Sequence, residues 1–367
     1  MELTRFADGL GPYQVLHVHL PTLGLKATVV VDNVACGPAV GGVRMAPDVS
    51  TEECFRLARS MTYKNAAAGL PHGGGKAVIP ADPRMPRERK EQLLRAFASA
   101  IRNLTDYIPG PDMGTDEQCM GWVQDEIGRA AGLPEVLGGI PLDVLGATGF
   151  GLASAIDEAR TFLGLELKGA RVVVQGFGAV GKHAARVLVE KGALLVGASD
   201  SRGTVADPGG LDVAALLALK QEGRSVAEHP RGRKLDRDAV VDLECDIWIP
   251  AARPDVLHAD NVGRLKAKLV APGANIPCTP EAEQALHQRG VLLLPDFIAN
   301  AGGVICAVTE YHRGTREAAF RAIDEKIRHN TRLVVDESRR TGVLPRQAAV
   351  ALAERRVREA MRSRRWS

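Results

Sequence analysis

Residues 170–200 read ARVVVQGFGAVGKHAARVLVEKGALLVGASD, and the order of textures in this stretch decides the fold. A valine-rich run from Ala170 to Gln175 enters Gly176-Phe177-Gly178-Ala179-Val180-Gly181. Lys182 to Lys191 then has helical spacing, and Leu194 to Ser199 is a second apolar run that ends on Asp200. Strand, glycine turn, helix, strand and then an acid about 20 residues on is the setting in which GxGxxG binds a dinucleotide. Outside that setting the motif is a weak signal. Here it makes Gly176, Phe177, Gly178, Ala179, Val180, Gly181 and Asp200 the expected cofactor-binding residues. The pyrophosphate would rest on backbone N–H groups at the helix start, where the dipole favours negative charge. A carboxylate at position 200 accepts from a ribose 2′-OH and repels a 2′-phosphate, which favours NAD. Ser201 and Arg202 follow at once and keep NADP open.

Downstream, further strands are expected at Asp246 to Ile249, Leu269 to Ala271 and Val291 to Leu294, with helices between them. That alternation predicts a parallel, doubly wound sheet. The tail from Arg316 is helical in pattern and is divided at Gly342 to Pro345. Upstream, the character of the chain changes around Gly146 to Gly151, where the crossing between two domains is expected. A chain of 367 residues is long for a single core. The expectation is therefore an α/β protein of two domains, 1–145 and 146–334.

In the first domain, Gln14 to His19 and Lys26 to Asp32 read as strands, and Gly37 to Arg44 reads as a glycine-bearing loop. A helix begins near Ser50, where Ser50 or Thr51 can cap it, with Glu52 and Glu53 in its first turn. It leads into Met61 to Pro83, MTYKNAAAGLPHGGGKAVIPADP, which sets Lys64 and Lys76 on either side of a glycine-rich turn. The run Gly73 to Gly75 suits close packing against backbone. Two lysines brought together there would repel, and burial would add desolvation, so one is expected near neutral and able to act as a base. A phosphate-binding P-loop does not fit, because Leu70 and Ala77 stand where glycine and Ser or Thr are needed. After the strand Lys76 to Ile79 come a helix from Arg87 to Asn103, a loop from Asp106 to Thr115 with Asp112 at its centre, and a helix from Asp116 to Ala131.

Leu70-Pro-His-Gly-Gly-Gly-Lys76-Ala-Val78, followed by Asp82-Pro83 and preceded by Met61-Thr-Tyr-Lys64-Asn-Ala, resembles the signature of the glutamate/leucine/phenylalanine/valine dehydrogenase superfamily. The resemblance implies an N-terminal substrate and oligomerisation domain, rejoined by C-terminal helices over about 335–367. It also implies a C-terminal Rossmann domain and the NAD(P)-dependent oxidative deamination of an amino acid to its 2-oxo acid and ammonia, in a homo-oligomer. It assigns Lys76 as catalytic base, Asp112 as proton shuttle and Lys64 as holder of the substrate α-carboxylate, all facing the nicotinamide in a cleft. Thr148 and Asn275 match positions near the nicotinamide and ribose, Asn300 is a further candidate in the cleft for cofactor binding, and Arg44 reads as a supporting residue. A non-catalytic regulatory subunit keeping the fold is a competing expectation, against which the intact Lys64, Lys76 and Asp112 set counts.

Glutamate-specific relatives carry a lysine in the pattern GPxKGGxR, and here Gly37-Pro-Ala-Val40-Gly-Gly-Val-Arg44 has Val40 in its place. An assisting serine seven residues past the Asn of NAGG is replaced by Ala307. A glutamate side chain buried without these partners would cost several kcal/mol, whereas an apolar one gains ~1.5 to 3 kcal/mol. The expected substrate is therefore a hydrophobic amino acid of the leucine, phenylalanine or valine type, closest to the leucine and phenylalanine enzymes. Val40, Gly110, Val304 and Ala307 are expected around its side chain. The segment YIPGPDMGT looks more like the glutamate enzymes and keeps glutamate as the alternative.

A formal net charge of +3 gives no argument for nucleic acid. Basic residues gather at Arg355, Arg356, Arg358, Arg362, Arg364 and Arg365, where a solvated or subunit-facing helix is expected. Six scattered cysteines without a CxxC pair suggest neither zinc nor a disulfide framework, so a reducing cytoplasm is the default. No apolar run approaches the ~18 residues that span a bilayer, and no signal-peptide pattern opens the chain.

Overall fold

The computed structural model describes residues 3–364. The chain forms two compact units, Met1–Leu142 with Val304–Phe320 and Val350–Ser367, and Asp143–Gly303 with Arg321–Ala349. Each contains a sheet of its own.

The first unit holds strands β1 (Gln14–Leu20), β2 (Leu25–Asn33), β3 (Ala39–Met45), β4 (Gly73–Ile79) and β5 (Tyr107–Pro111), with helices α1 (Thr51–Ala67), α2 (Arg87–Ala100) and α3 (Glu117–Ile127). The sheet order is β1-β2-β4-β3-β5. β1, β2 and β4 run antiparallel in turn, whereas β3 is parallel to both β4 and β5. Side chains alternate across a strand, so each strand serves two faces. Ala39, Val43, Ala77, Ile79 and Tyr107 pack with Leu94 and Phe97 of α2 and Met120 of α3 on one face. Val30 and Val78 pack with Cys54, Phe55 and Ala58 of α1 on the other. Val40, Gly42, Arg44, Gly74, Lys76 and Gly110 share that second parity. Of the two expected caps, Ser50 is the one that closes α1, accepting from Glu53 N at 3.1 Å.

Three expected loops prove to be strand. Gly73 to Gly75 open β4 rather than forming a turn, and the reversal lies at Ala68 to His72, with Gly69 at φ +66°. Gly37 to Arg44 contains most of β3. Asp106 to Thr115 contains β5, whose prolines are tolerated because it is an edge strand paired only to β3. Near the C-terminus, Arg355, Arg358, Arg362 and Arg364 are exposed. Arg356 instead donates to the carbonyls of Ala66 and Leu70 at 2.9 and 3.1 Å, and Arg365 lies outside the described residues.

The second unit carries β6 (Arg171–Gln175), β7 (Leu194–Asp200), β8 (Gly203–Ala206), β9 (Arg233–Leu235), β10 (Ile247–Pro250), β11 (Leu269–Val270) and β12 (Leu292–Leu293). Their order is β12-β11-β10-β6-β7-β8-β9. The first five are parallel, as the βα alternation predicts, and β8 and β9 extend the sheet antiparallel. These last two are too short to show a period in the sequence. Val173, Val196, Trp248, Val270 and Leu293 fill the core beneath the sheet. No described helix is long and apolar enough to cross a membrane.

Candidate active site

Lys76 projects from the middle of β4, and its Nζ donates to Asp112 Oδ2 in an ion pair. Asp112 lies just past β5. Its Oδ1 accepts from Arg44 Nη2 at 3.2 Å and from Met113 N at 2.5 Å, and Arg44 is held in turn by Glu53 at 2.6 Å. Burial alone would raise the Asp112 pKa, but the cations of Lys76 and Arg44 and the hydrogen bonds outweigh it and hold the carboxyl at about 2. The ion-pair partner of Lys76 is thus the Asp112 carboxylate. Gly42 makes this arrangement possible: a Cβ there would lie 2.7 Å from Asp112 Cβ. Thr115 fixes the loop, its Oγ1 accepting from Asp112 N at 3.0 Å and donating to Val43 O at 2.8 Å.

The glycines of β4 bring α1 against the strand. A Cβ on Gly74 would overlap the backbone of Thr62, and one on Gly73 would overlap the carbonyl of Asn33. Thr62 Oγ1 donates to Asp32 Oδ2 at 2.6 Å, tying α1 to β2. Asn65 Nδ2 donates to Gly73 O at 2.6 Å and to Val40 O at 3.3 Å, tying the helix end to β4 and β3. Lys64, buried in the last turn of α1, sits between these two fastened residues.

Val40 is buried on the strand parity of Lys76, and Gly110 lies beside Gly42 in the parallel register of β3 and β5. Val304 and Ala307 are one turn apart on the helix Gly302–Tyr311. Among the described residues, no hydrogen bond or sheet register joins that pair to Val40 and Gly110.

In the second unit the three fingerprint glycines do three different things. Gly176 adopts φ +94°, which an L side chain rarely takes. A Cβ on Gly181 would overlap the Gly176 carbonyl, so this residue permits close packing of helix on strand. Around Gly178 a Cβ would meet nothing within 4 Å. That open face borders a groove of about 390 Å³ lined also by Gln175, Phe177, Asp200 and Lys220. Gln175 Oε1 is buried without a hydrogen-bond partner, and the helix Ala179–Glu190 points its first N–H groups to the same turn. These features fit a bound dinucleotide, with its pyrophosphate at Gly178. Asn300 Nδ2 donates to Asn275 Oδ1 at 2.9 Å, and its own Oδ1 is buried without a partner. Thr148 lies in the first turn of the helix Ala147–Ala159, its Oγ1 2.8 Å from where a Cβ on Gly303 would stand.

Two family models cover most of the chain. Residues 12–129 match the Glu/Leu/Phe/Val dehydrogenase dimerisation domain, and residues 138–365 match Glutamate/Leucine/Phenylalanine/Valine dehydrogenase. The chain belongs to this dehydrogenase family. Among its relatives, the glutamate dehydrogenase of Aeropyrum pernix is 39% identical over 100% of this chain and 97% of its own. Among solved structures, the hetero-hexameric glutamate dehydrogenase of Thermus thermophilus in its Leu-bound form superposes with a TM-score of 0.87 at 32% identity, covering 96% of this chain and 90% of that one. The L-tryptophan dehydrogenase of Nostoc punctiforme gives 0.73 at 28% identity, covering 96% and 97%.

This dehydrogenase is accordingly an NAD(P)-dependent enzyme acting on an amino acid. Several of its fastenings had no signal in the sequence. His72 Nδ1 lies 2.9 Å from Pro38 O, which places the proton on that nitrogen and leaves Nε2 to accept from His312 Nε2 at 2.9 Å. Burial lowers the His72 pKa. Glu310 accepts from Leu133 N and Ile140 N at 2.9 and 2.8 Å, and burial pushes its carboxyl up. Lys220 and Ser225 gave no signal either, since each acts only through Asp200, 20 or more residues away, and Glu53, placed by the sequence in a first helical turn, gains its role at the site only through Arg44.

Proposed function

We propose that this chain catalyses the reversible NAD(P)-dependent oxidative deamination of L-glutamate to 2-oxoglutarate and ammonia. The choice of amino acid is supported by the glutamate dehydrogenases to which the chain is similar over its whole length. The chemistry is supported by one observation above the others, the buried Lys76–Asp112 pair braced by Arg44. Gly176 to Gly181 and Gln175 would hold NAD(P), which when bound supplies the hydride acceptor for the substrate Cα.

The side chains manage protons and charge. Lys64 binds the α-carboxylate and so fixes Cα. Oxidation leaves an imine, to which water must add. Lys76, having passed its proton to Asp112, accepts a proton from that water, and as the ammonium it stabilises oxygen while the carbinolamine collapses. Asp112 delivers its proton to the departing nitrogen and, as the carboxylate, takes up the hydroxyl proton as the carbonyl forms and ammonia leaves. Arg44 keeps the carboxylate aimed at Lys76 through the cycle. By analogy with the hexameric relative, the chain is inferred to work as an oligomer.

A second reading, an apolar amino acid as substrate, is favoured by Val40, whose buried position on the strand parity of Lys76 offers no cation to a side-chain carboxylate. Similarity to a tryptophan dehydrogenase is compatible with it. The discriminating experiment is a panel of glutamate, leucine, phenylalanine, valine and tryptophan, each with NAD and NADP. Glutamate leading in kcat/KM establishes the first reading. An apolar substrate ahead by ~100-fold replaces it with the second, and no turnover with any member of the panel removes both.

A further inference from the structure

At the end of β7, Asp200 is the acid that the fingerprint would assign to a ribose 2′-OH. Its hydrogen bonds leave no room for that task. Oδ1 accepts from Arg202 N at 3.0 Å and Ser225 Oγ at 2.8 Å, while Oδ2 accepts from Lys220 Nζ at 2.9 Å and Val226 N at 3.0 Å. A carboxylate has about four lone-pair sites, and all four are filled. The side chain is 8% exposed, and Lys220 neutralises its charge. Burial would raise its pKa, but Lys220 and the other donors hold the carboxyl at about 2, so it stays an acceptor and offers no proton of its own.

The charge facing the groove is consequently not that of a bare acid. Lys220, Arg237 and Arg253 line it, against Asp200 and Asp238. Arg237 is taken up by Asp238 at 2.9 Å, and Lys220 by Asp200. Arg253 makes no ion pair among the described residues, and Ser201 adds a hydroxyl on the same lining. A neutralised acid, an uncommitted guanidinium and a hydroxyl form a surface that attracts a dianionic phosphate and gives a bare 2′-OH little to bond.

We infer that this groove accepts a 2′-phosphate beside Asp200, with Lys220 as the residue that decides it, so that NADP(H) is bound at least as well as NAD(H). The inference rests on the groove being the dinucleotide site. It concerns Lys220 and Ser225 as positioning residues for cofactor choice. Lys220 both cancels Asp200 and presents a cation at the ribose end of the groove.

The test is direct binding, without turnover. Nicotinamide fluorescence of NADPH and NADH is titrated with the substrate-free protein, and calorimetry compares 2′,5′-ADP with 5′-AMP. NADPH binding as tightly as NADH or tighter, with 2′,5′-ADP ahead of 5′-AMP, is the expected result. NADH bound more than threefold tighter than NADPH overturns the inference while leaving the groove as the dinucleotide site. Failure of both cofactors to bind removes the groove reading as well. In Lys220→Ala, NADPH should weaken about tenfold or more and NADH by less than threefold. Equal loss for both would show Lys220 to be merely structural. Lys220→Met provides a second variant of similar bulk, and the wild-type comparison stands whether or not either variant folds.

Discussion

The two glycine runs of this dehydrogenase do opposite things with the same missing side chain. Along β4, the space that a Cβ on Gly73 or Gly74 would need is occupied by the protein's own backbone, at Asn33 and Thr62. Beside β6, the space around Gly178 is empty. The first run is glycine so that a helix can seat the strand bearing Lys76. The second leaves the backbone open at Gly178, which on the proposed reading is where a dinucleotide would reach it. Glycine in a motif is therefore informative only together with what faces it.

The largest effect that sharpens this contrast concerns the group that the first run positions. Lys76→Ala should lower kcat by about 10²- to 10⁴-fold while leaving NADH binding unchanged, as measured by steady-state kinetics and nicotinamide fluorescence. Retained turnover would remove Lys76 from the mechanism.

Next comes the seat itself. Gly74→Ala forces a methyl into the Thr62 backbone and should destabilise the protein by about 3 kcal/mol or more, read from urea denaturation. A loss below ~1 kcal/mol would mean that helix and strand separate easily, and the contrast would fail on that side.

Third is acid sensitivity. The folded Asp112 pKa of about 2 lies below its ordinary value of 3.8. The stabilisation is therefore complete above the unfolded value and is lost as pH falls through 3.8 toward 2. It amounts to about 2 kcal/mol. Asp112→Asn should flatten this part of the stability-against-pH curve, and an unchanged acid limb would show that other groups carry it.

The smallest effect belongs to the open glycine. Gly178→Ala should leave stability within about 0.5 kcal/mol but weaken NADH roughly tenfold, since on the proposed reading the methyl would stand where the pyrophosphate approaches. Were Gly178→Ala to unfold the protein, the distinction between the runs would collapse.

The fold was legible where local chemistry decides it and obscure where long-range pairing does. Ser50, the alternation of β1 and the order from β6 to Asp200 all announce themselves within a few residues. β3 and β5 did not, because Gly41, Gly42, Pro109 and Pro111 read locally as turn residues. They are strands through parallel pairing with partners about 30 residues or more away, which no window shows. The candidate site divides in the same way. Lys76 stood out by its motif, but its contact with Asp112 depends on the crossover from β4 to β5. Asp200 was visible as an acid at the right distance, whereas, besides the nearby Arg202 N–H, the donors that saturate it come from Lys220 at the end of the helix Val213–Gln221 and from Ser225 and Val226 just beyond it.

Each unit also encloses one large indole. Trp122 lies in the core of the first, and Trp248 is fully buried in the second, its Nε1 donating to Val240 O at 3.3 Å. Once Trp366 is replaced, this pair gives each unit its own intrinsic fluorophore. Variants keeping only one of the two would then report emission from one core at a time, so melting of the substrate half and of the nucleotide half can be followed separately and without an attached dye.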